Sequence, residues 1–354
     1  MSELSQTHVG SGKVMTVRGP IAATALGVTL MHEHILNDVT CWWNKPAEPE
    51  RAYLGTAPVS IEILGELRMD PFANLHNCAL DDEALAIDEL RPVAALGGRT
   101  VVDPSCRGIG RNPEALVRIA EATGLQIVMG AGYYLQSSHP PCVASMSKAD
   151  IADEIVAESL EGVDRTGVKI GLIGEIGVSG DFTADEEKSL RGAAAAQRRT
   201  RLPLMVHLPG WYRHANRVLD IVAEEGGDIR HTVLCHMNPS FFDTAYQFGL
   251  AERGAILEYD MVGMDFWYAD QGVQCPSEDE NARAIKGLVE AGFGRQIVLS
   301  QDVFLKMMLT RYGGFGYAYI QRHFLPRLRR LGLSEAALTA LMVDNPRRVF
   351  STAG

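Results

Sequence analysis

Eight apolar runs of strand length recur along this 354-residue chain, and amphipathic stretches of helical length separate most of them. The runs are Val28-Met31, Thr100-Val102, Gln126-Met129, Ile170-Ile173, Leu204-Val206, Thr232-Leu234, Ala255-Leu257 and Ile297-Leu299. Between them lie Asp82-Leu96, Pro113-Ala122, Lys148-Val163, Ala184-Arg198, Ala215-Glu225, Ser240-Ala251 and Glu278-Glu290, each with apolar residues at helical spacing. Buried parallel strands read as continuous apolar runs, and a crossover helix must join each to the next. Eight such units predict an α/β fold of the (β/α)8 barrel type. With no break in composition, residues 1–354 read as a single barrel domain.

Three segments stand outside the alternation. A short strand pair, around Val14-Val17 and Ile21-Ala25, is expected within residues 1–27. The connection after strand one, residues 37–81, is long and carries Trp42, Trp43 and several prolines. Loops of that length in a compact domain are usually functional, so an ordered lid or pocket wall is expected. After strand eight, Gly316-Leu331 and Ser334-Met342 are expected to complete the helical ring.

Charge narrows the partners. Lys and Arg total 33 against 44 Asp and Glu, a net charge of −11. That disfavours nucleic acid and anionic membrane, and leaves a small-molecule substrate as the expectation. The polar start Met1-Ser2-Glu3-Leu4-Ser5-Gln6 and the lack of a membrane-length apolar run predict a cytoplasmic protein. Six scattered cysteines without a CxxC pair suit reduced thiols. Cys235 adjoins a histidine at a strand end, but strand alternation is expected to turn it away from the side His236 faces.

In a barrel of this kind, chemistry gathers at the C-terminal ends of the strands. Strand one ends in Met31-His32-Glu33-His34, where residues i and i+2 offer two imidazoles to one point. Ten histidines in the chain make a lone His-x-His a weak signal. Its partners give it weight: strand four ends in Glu175, strand five in His207, strand six in His236 and strand eight in Asp302. Imidazoles with carboxylates and no thiolate suit zinc, manganese, cobalt or iron. Six ligands exceed what one catalytic ion with an open position can use, so two metals bridged by a carboxylate are expected.

With those residues in that strand order, the chain resembles the amidohydrolase superfamily and, within it, the phosphotriesterase family, especially its phosphotriesterase-related members. The resemblance extends over Gly27-Val28-Thr29-Leu30-Met31-His32-Glu33-His34, Gly130-Ala131-Gly132-Tyr133-Tyr134, Gly174-Glu175-Ile176-Gly177, His207-Leu208-Pro209-Gly210 and Asn345-Pro346-Arg347-Arg348. It implies a distorted barrel in which His32, His34 and Asp302 hold the more buried metal and His207 and His236 the more exposed one. The strand-four residue would bridge the two. In the best-known members that bridge is a carboxylated lysine. Lys169 stands six residues before Glu175, at the other end of the expected strand, about 20 Å away at ~3.3 Å per residue. Glu175 is therefore expected to bridge, as in the glutamate-bridged branch.

The implied chemistry is hydrolysis. Two divalent ions, zinc first with manganese, cobalt or iron(II) as alternatives, would share a hydroxide that attacks a carbonyl centre in a lactone, carboxylic ester or N-acyl amide. Asp302 would take its proton. Tyr134 is expected either to hydrogen-bond the reacting oxygen or to form an aromatic wall. Asp260 and Asp265 are expected to orient ligands or read substrate, Asp103 to be structural, and His139 and His214 to be solvated. Phosphotriester hydrolysis is the alternative reaction. The alternative of another class, prompted by relatives labelled resiniferatoxin-binding, is a non-catalytic protein for a terpenoid-like ligand. Barrels of this family imply a homodimer.

Overall fold

The computed structural model describes residues 12–351, so the start of the 1–27 segment lies outside the described residues. The eight barrel strands are Val28–Leu30, Gly98–Asp103, Gln126–Met129, Ile173–Gly177, Leu204–His207, Thr232–Leu234, Ile256–Tyr259 and Ile297–Leu299. Ladder pairing is parallel and divides into arcs of three and five strands. Two seams close the circle. Between strands three and four, Gly171 N and Gly174 N donate to Met129 O (3.0 Å) and Ala131 O (2.6 Å); between strands one and eight, Met31 N donates to Leu299 O at 3.4 Å. The barrel is therefore complete but distorted where strand four enters.

Alternation along the strands separates two buried layers. Val102, Val128, Met205, Val233 and Val298 fill the barrel interior, whereas Val101, Ile127, Val206, Leu234 and Leu299 face the helices. Each such side chain contributes about 1.5–3 kcal/mol by leaving water. The helices begin where caps allow. Ser147, Thr183 and Ser277 form capping boxes with Asp150, Glu186 and Glu280, which satisfy otherwise orphaned backbone donors. No helix among the described residues is long and apolar enough to cross a membrane. All six cysteines are free thiols.

Several expected boundaries move. Strand four runs over Ile173–Gly177 rather than Ile170–Ile173, so Glu175 lies inside it and Lys169 precedes it. Ile170–Leu172 are buried instead as floor packing, with Gly171 pressed so close beneath the Met15 carbonyl that a Cβ would collide. The N-terminal hairpin pairs Lys13–Thr16 with Gly19–Ala22, one to three residues earlier than expected. Gly19 supplies the positive φ, +105°, that the tight turn requires. The sixth expected helix begins at Thr244, because Asp243 caps it by accepting from Tyr246 N. A helix over Asn345–Phe350 ends the described chain, its Asn345 side chain donating to Ile297 O at 2.6 Å.

The connection over residues 37–81 is more structured than expected. Asn37–Asp38 pairs with Ala79–Leu80, and a short helix spans Leu64–Met69. Buried Asn74 and Asn77 donate to the carbonyls of Leu54, Ala57 and Pro71. This scaffold brings Trp42 onto Phe72, with rings stacked at 5.3 Å and 14°. The segment is a pocket wall.

Candidate metal centre

His32 and His34 follow strand one directly, and their Nε2 atoms lie 3.4 Å apart. Asp302 Oδ1 faces both, at 3.5 and 3.4 Å. Across the mouth, His207 Nδ1 and His236 Nε2 lie 2.8 Å apart. Glu175 stands between the two groups. Its Oε1 lies 3.2 Å from His34 Nε2, and its Oε2 lies 3.2 Å from His207 Nδ1. The six expected residues thus come together, as two clusters that share one carboxylate.

Local backbone explains the aim of these side chains. Gly174 has φ +121°, and a Cβ there would run into the Met205 carbonyl, so only glycine admits the bend that delivers Glu175. His236 and Asp302 have φ of +57° and +48°, uncommon for residues with a side chain. At His236 this breaks strand alternation. Cys235 consequently does not turn away: it is buried in the barrel interior beneath the site, its Sγ 3.3 Å from Glu258 Oε2.

The remaining ring nitrogens are held from outside. His34 Nδ1 meets Ser105 Oγ at 2.8 Å, and His236 Nδ1 meets Asp260 Oδ1 at 3.1 Å. His32 Nδ1 lies 3.4 Å from both Glu258 Oε2 and Asp260 Oδ2. Asp260 also accepts from His236 N at 3.0 Å, so one carboxylate orients ligands of both clusters. Asp103 accepts from Ile35 N and Ser105 N, fixing the turn that carries Ser105. Glu33, fully buried, accepts from Ser300 Oγ, Gln301 N and Val303 N, and thereby ties strand one to the turn that bears Asp302.

The electrostatics match a site built for cations. Burial opposes charge on His32, yet Glu175 and Asp302 outweigh it and hold the ring well above its ordinary value. Burial likewise opposes charge on His236, and Asp260 overrides it, lifting the ring to about 9. For Glu175 burial is overcome by His32 and by hydrogen bonds from His207, His32 and His34, which keep the carboxyl well below the usual range. Burial raises Asp302 to about 6 against the pull of His32, His236 and His34. Facing imidazole nitrogens at 2.8 and 3.4 Å repel unless a proton or a cation sits between them. Four imidazoles, two carboxylates and no thiolate among the aimed donors fit divalent ions of the zinc, manganese, cobalt and iron kind.

Other expectations resolve differently. Tyr134 is 6 % exposed, packs edge-on against His207 at 4.8 Å, and accepts from Trp42 Nε1 at 3.2 Å. It is therefore a wall with a hydroxyl that still has its own proton to donate. Asp265 does not enter the site; it is exposed and meets Gln274 Nε2 at 3.5 Å. His139 and His214 are partly buried rather than solvated, bonded to the carbonyls of Tyr134 and Gly180. Glu258 was not anticipated. It precedes Asp260 by two residues, the same spacing that marks His32 and His34, and that signal could have found it.

Above these residues opens a cavity of about 320 Å³, with Trp42, Phe72, Tyr134, Trp211, Tyr268 and Phe304 among its walls. Residues 12–350 match the model described as the phosphotriesterase family. An N-acetyltaurine hydrolase from Salmo salar is 35 % identical over 342 residues, which is 96 % of this chain and 97 % of that protein. A crystal structure of a resiniferatoxin-binding protein from Rhodobacter sphaeroides superposes with TM-score 0.97 at 68 % identity, covering 100 % of this chain and 99 % of that one. A lactonase from Listeria monocytogenes superposes with TM-score 0.78 at 25 % identity, covering 97 % and 100 %.

Proposed function

The chain belongs to the phosphotriesterase family and is a metal-dependent hydrolase of amide, ester or lactone bonds in small molecules; from that premise we propose a reaction centre of two divalent cations bridged by Glu175. His32, His34 and Asp302 would hold one ion, and His207 and His236 the other. Zinc is the first choice, and the substrate an N-acyl amide or ester attacked at its carbonyl carbon. The observation that carries this reading is the division of the Glu175 carboxylate, one oxygen toward each histidine pair.

When bound, such an ion pair supplies a hydroxide nucleophile at neutral pH and polarises the scissile carbonyl. The residues do the rest. Asp302, whose carboxylate faces both histidine clusters, would accept the nucleophile's proton and return it to the leaving group. Tyr134, anchored by Trp42, directs its proton toward the reacting oxygen. Asp260 keeps His32 and His236 in the tautomers that turn a lone pair inward. The aromatic walls exclude bulk water, which strengthens each of these interactions.

Metal analysis of carefully loaded protein, with assays on lactones, esters, N-acyl amines and phosphotriesters, tests the proposal. About two ions per chain and turnover of a carbonyl substrate are expected. Fewer than about one ion per chain with no turnover would refute it, and preferred turnover of phosphotriesters would transfer the reaction to phosphorus.

A further inference from the structure

The cavity above the site has no lysine or arginine among its described lining residues; its histidines, His34, His207 and His236, belong to the candidate metal centre at its floor. Three cations in neighbouring segments are engaged elsewhere. Arg213 pairs with Asp243 at 3.0 Å and lies over the Phe242 and Tyr246 rings; Lys306 pairs with Asp81, and Arg51 with Asp70, each at 2.8 Å. Residues 1–11 and 352–354 contain no lysine or arginine at all. Among the exposed lining residues is an acidic one, Asp181.

What the walls offer is flat apolar surface. Trp42 stacks on Phe72, and Phe72 stacks on Tyr268 at 5.4 Å and 18°; Trp211 meets Tyr268 edge-on at 5.8 Å. This ladder joins the loop after strand one to those after strands five and seven. An anionic group held against these rings, away from the metal centre, would lose its water with no lysine or arginine among the cavity's lining to pair with, at a cost of several kcal/mol. An aryl or branched alkyl group would be stabilised by the same surface.

We infer that this site selects substrates whose end remote from the scissile bond is uncharged and apolar, an aryl or branched alkyl amide or ester, and discriminates against those ending in sulfonate, carboxylate or phosphate. The inference rests on the hydrolase reading above and adds its substrate class. In the reaction water adds its oxygen to the acyl carbon, the acyl–nitrogen or acyl–oxygen bond breaks, and the leaving atom takes the proton.

A matched pair tests it: N-acetylphenethylamine and N-acetyltaurine share the acetamide and the two-carbon spacer and differ only in phenyl against sulfonate. With zinc-loaded enzyme, kcat/KM for the phenyl compound should exceed that for the sulfonate by at least about thirtyfold. Gln271→Arg, an exposed change on the cavity wall, should narrow the gap by raising turnover of the sulfonate about tenfold. Equal or preferred turnover of the sulfonate by the unmodified enzyme overturns the inference while the hydrolase reading stands. If neither compound is hydrolysed, tryptophan fluorescence reads their binding directly. Tighter binding of the phenyl compound then supports the pocket assignment while the hydrolase reading falls, and equal or tighter binding of the sulfonate overturns the assignment.

Discussion

Glu175 directs Oε2 to within 3.2 Å of His207 Nδ1 while its other oxygen serves the opposite half of the site. A carboxylate so divided needs no chemical modification to bridge two cations. Lys169, outside strand four, has no comparable reach. Glu175→Gln should cost at least one ion per chain and lower kcat/KM by roughly 10³-fold or more. Lys169→Ala should leave metal content and turnover close to the parent. Mass-spectrometric metal counts with kinetics on both variants decide this, and the reverse pattern would assign the bridge to the lysine.

Asp260 does not line the cavity but holds His236 and His32 together. Asp260→Asn should weaken metal affinity roughly 10–100-fold, as is usual when a partner behind a ligand is removed. Chelator competition measures it. Unchanged affinity would mean that the barrel alone holds the two rings.

Tyr134→Phe removes the acceptor for Trp42 Nε1 and the hydroxyl proton proposed to meet the reacting oxygen. Turnover should fall roughly tenfold to a hundredfold with metal content unchanged, and the tryptophan emission should shift. A rate equal to the parent's would reduce Tyr134 to packing.

Metal uptake should depend on pH with a definite sign. Free of metal, His236 is lifted to about 9 by Asp260, so below that pH the ring carries a proton that a cation must displace. Affinity should fall as pH drops, and binding should release protons. Calorimetry in two buffers of different ionisation enthalpy reads the release directly. Affinity that does not change with pH would contradict the arrangement.

Stability has a separate handle in Arg111, whose side chain is 2 % exposed and bonds Glu158 twice, at 2.8 and 2.7 Å. Arg111→Met leaves the partly buried Glu158 carboxylate without its partner and should cost about 2–3 kcal/mol in denaturant unfolding, whereas adding Glu158→Leu should recover much of it. Additive losses would contradict the pairing.

The barrel and the convergence of six polar residues from five strands were legible because metal-ligand residue types stand out after apolar runs. The boundaries were less so. Ile170–Leu172 are as apolar as a strand, yet they pack beneath the barrel while pairing starts at Ile173, and apolarity alone cannot distinguish the two. Cys235 was misdirected because alternation presumes extended backbone, and His236 departs from it with a positive φ. Phe72, Trp211 and Tyr268 come from three separate loops, and nothing in the local pattern of each foretells that they share a wall.

Anomalous diffraction at the zinc edge from crystals of the metal-loaded protein tests the central claim most directly. Two peaks about 3.5–4 Å apart, with the Glu175 carboxylate spanning them and His32, His34 and Asp302 on one side and His207 and His236 on the other, are predicted. A single peak, or two ions with Glu175 bound to only one, would contradict it.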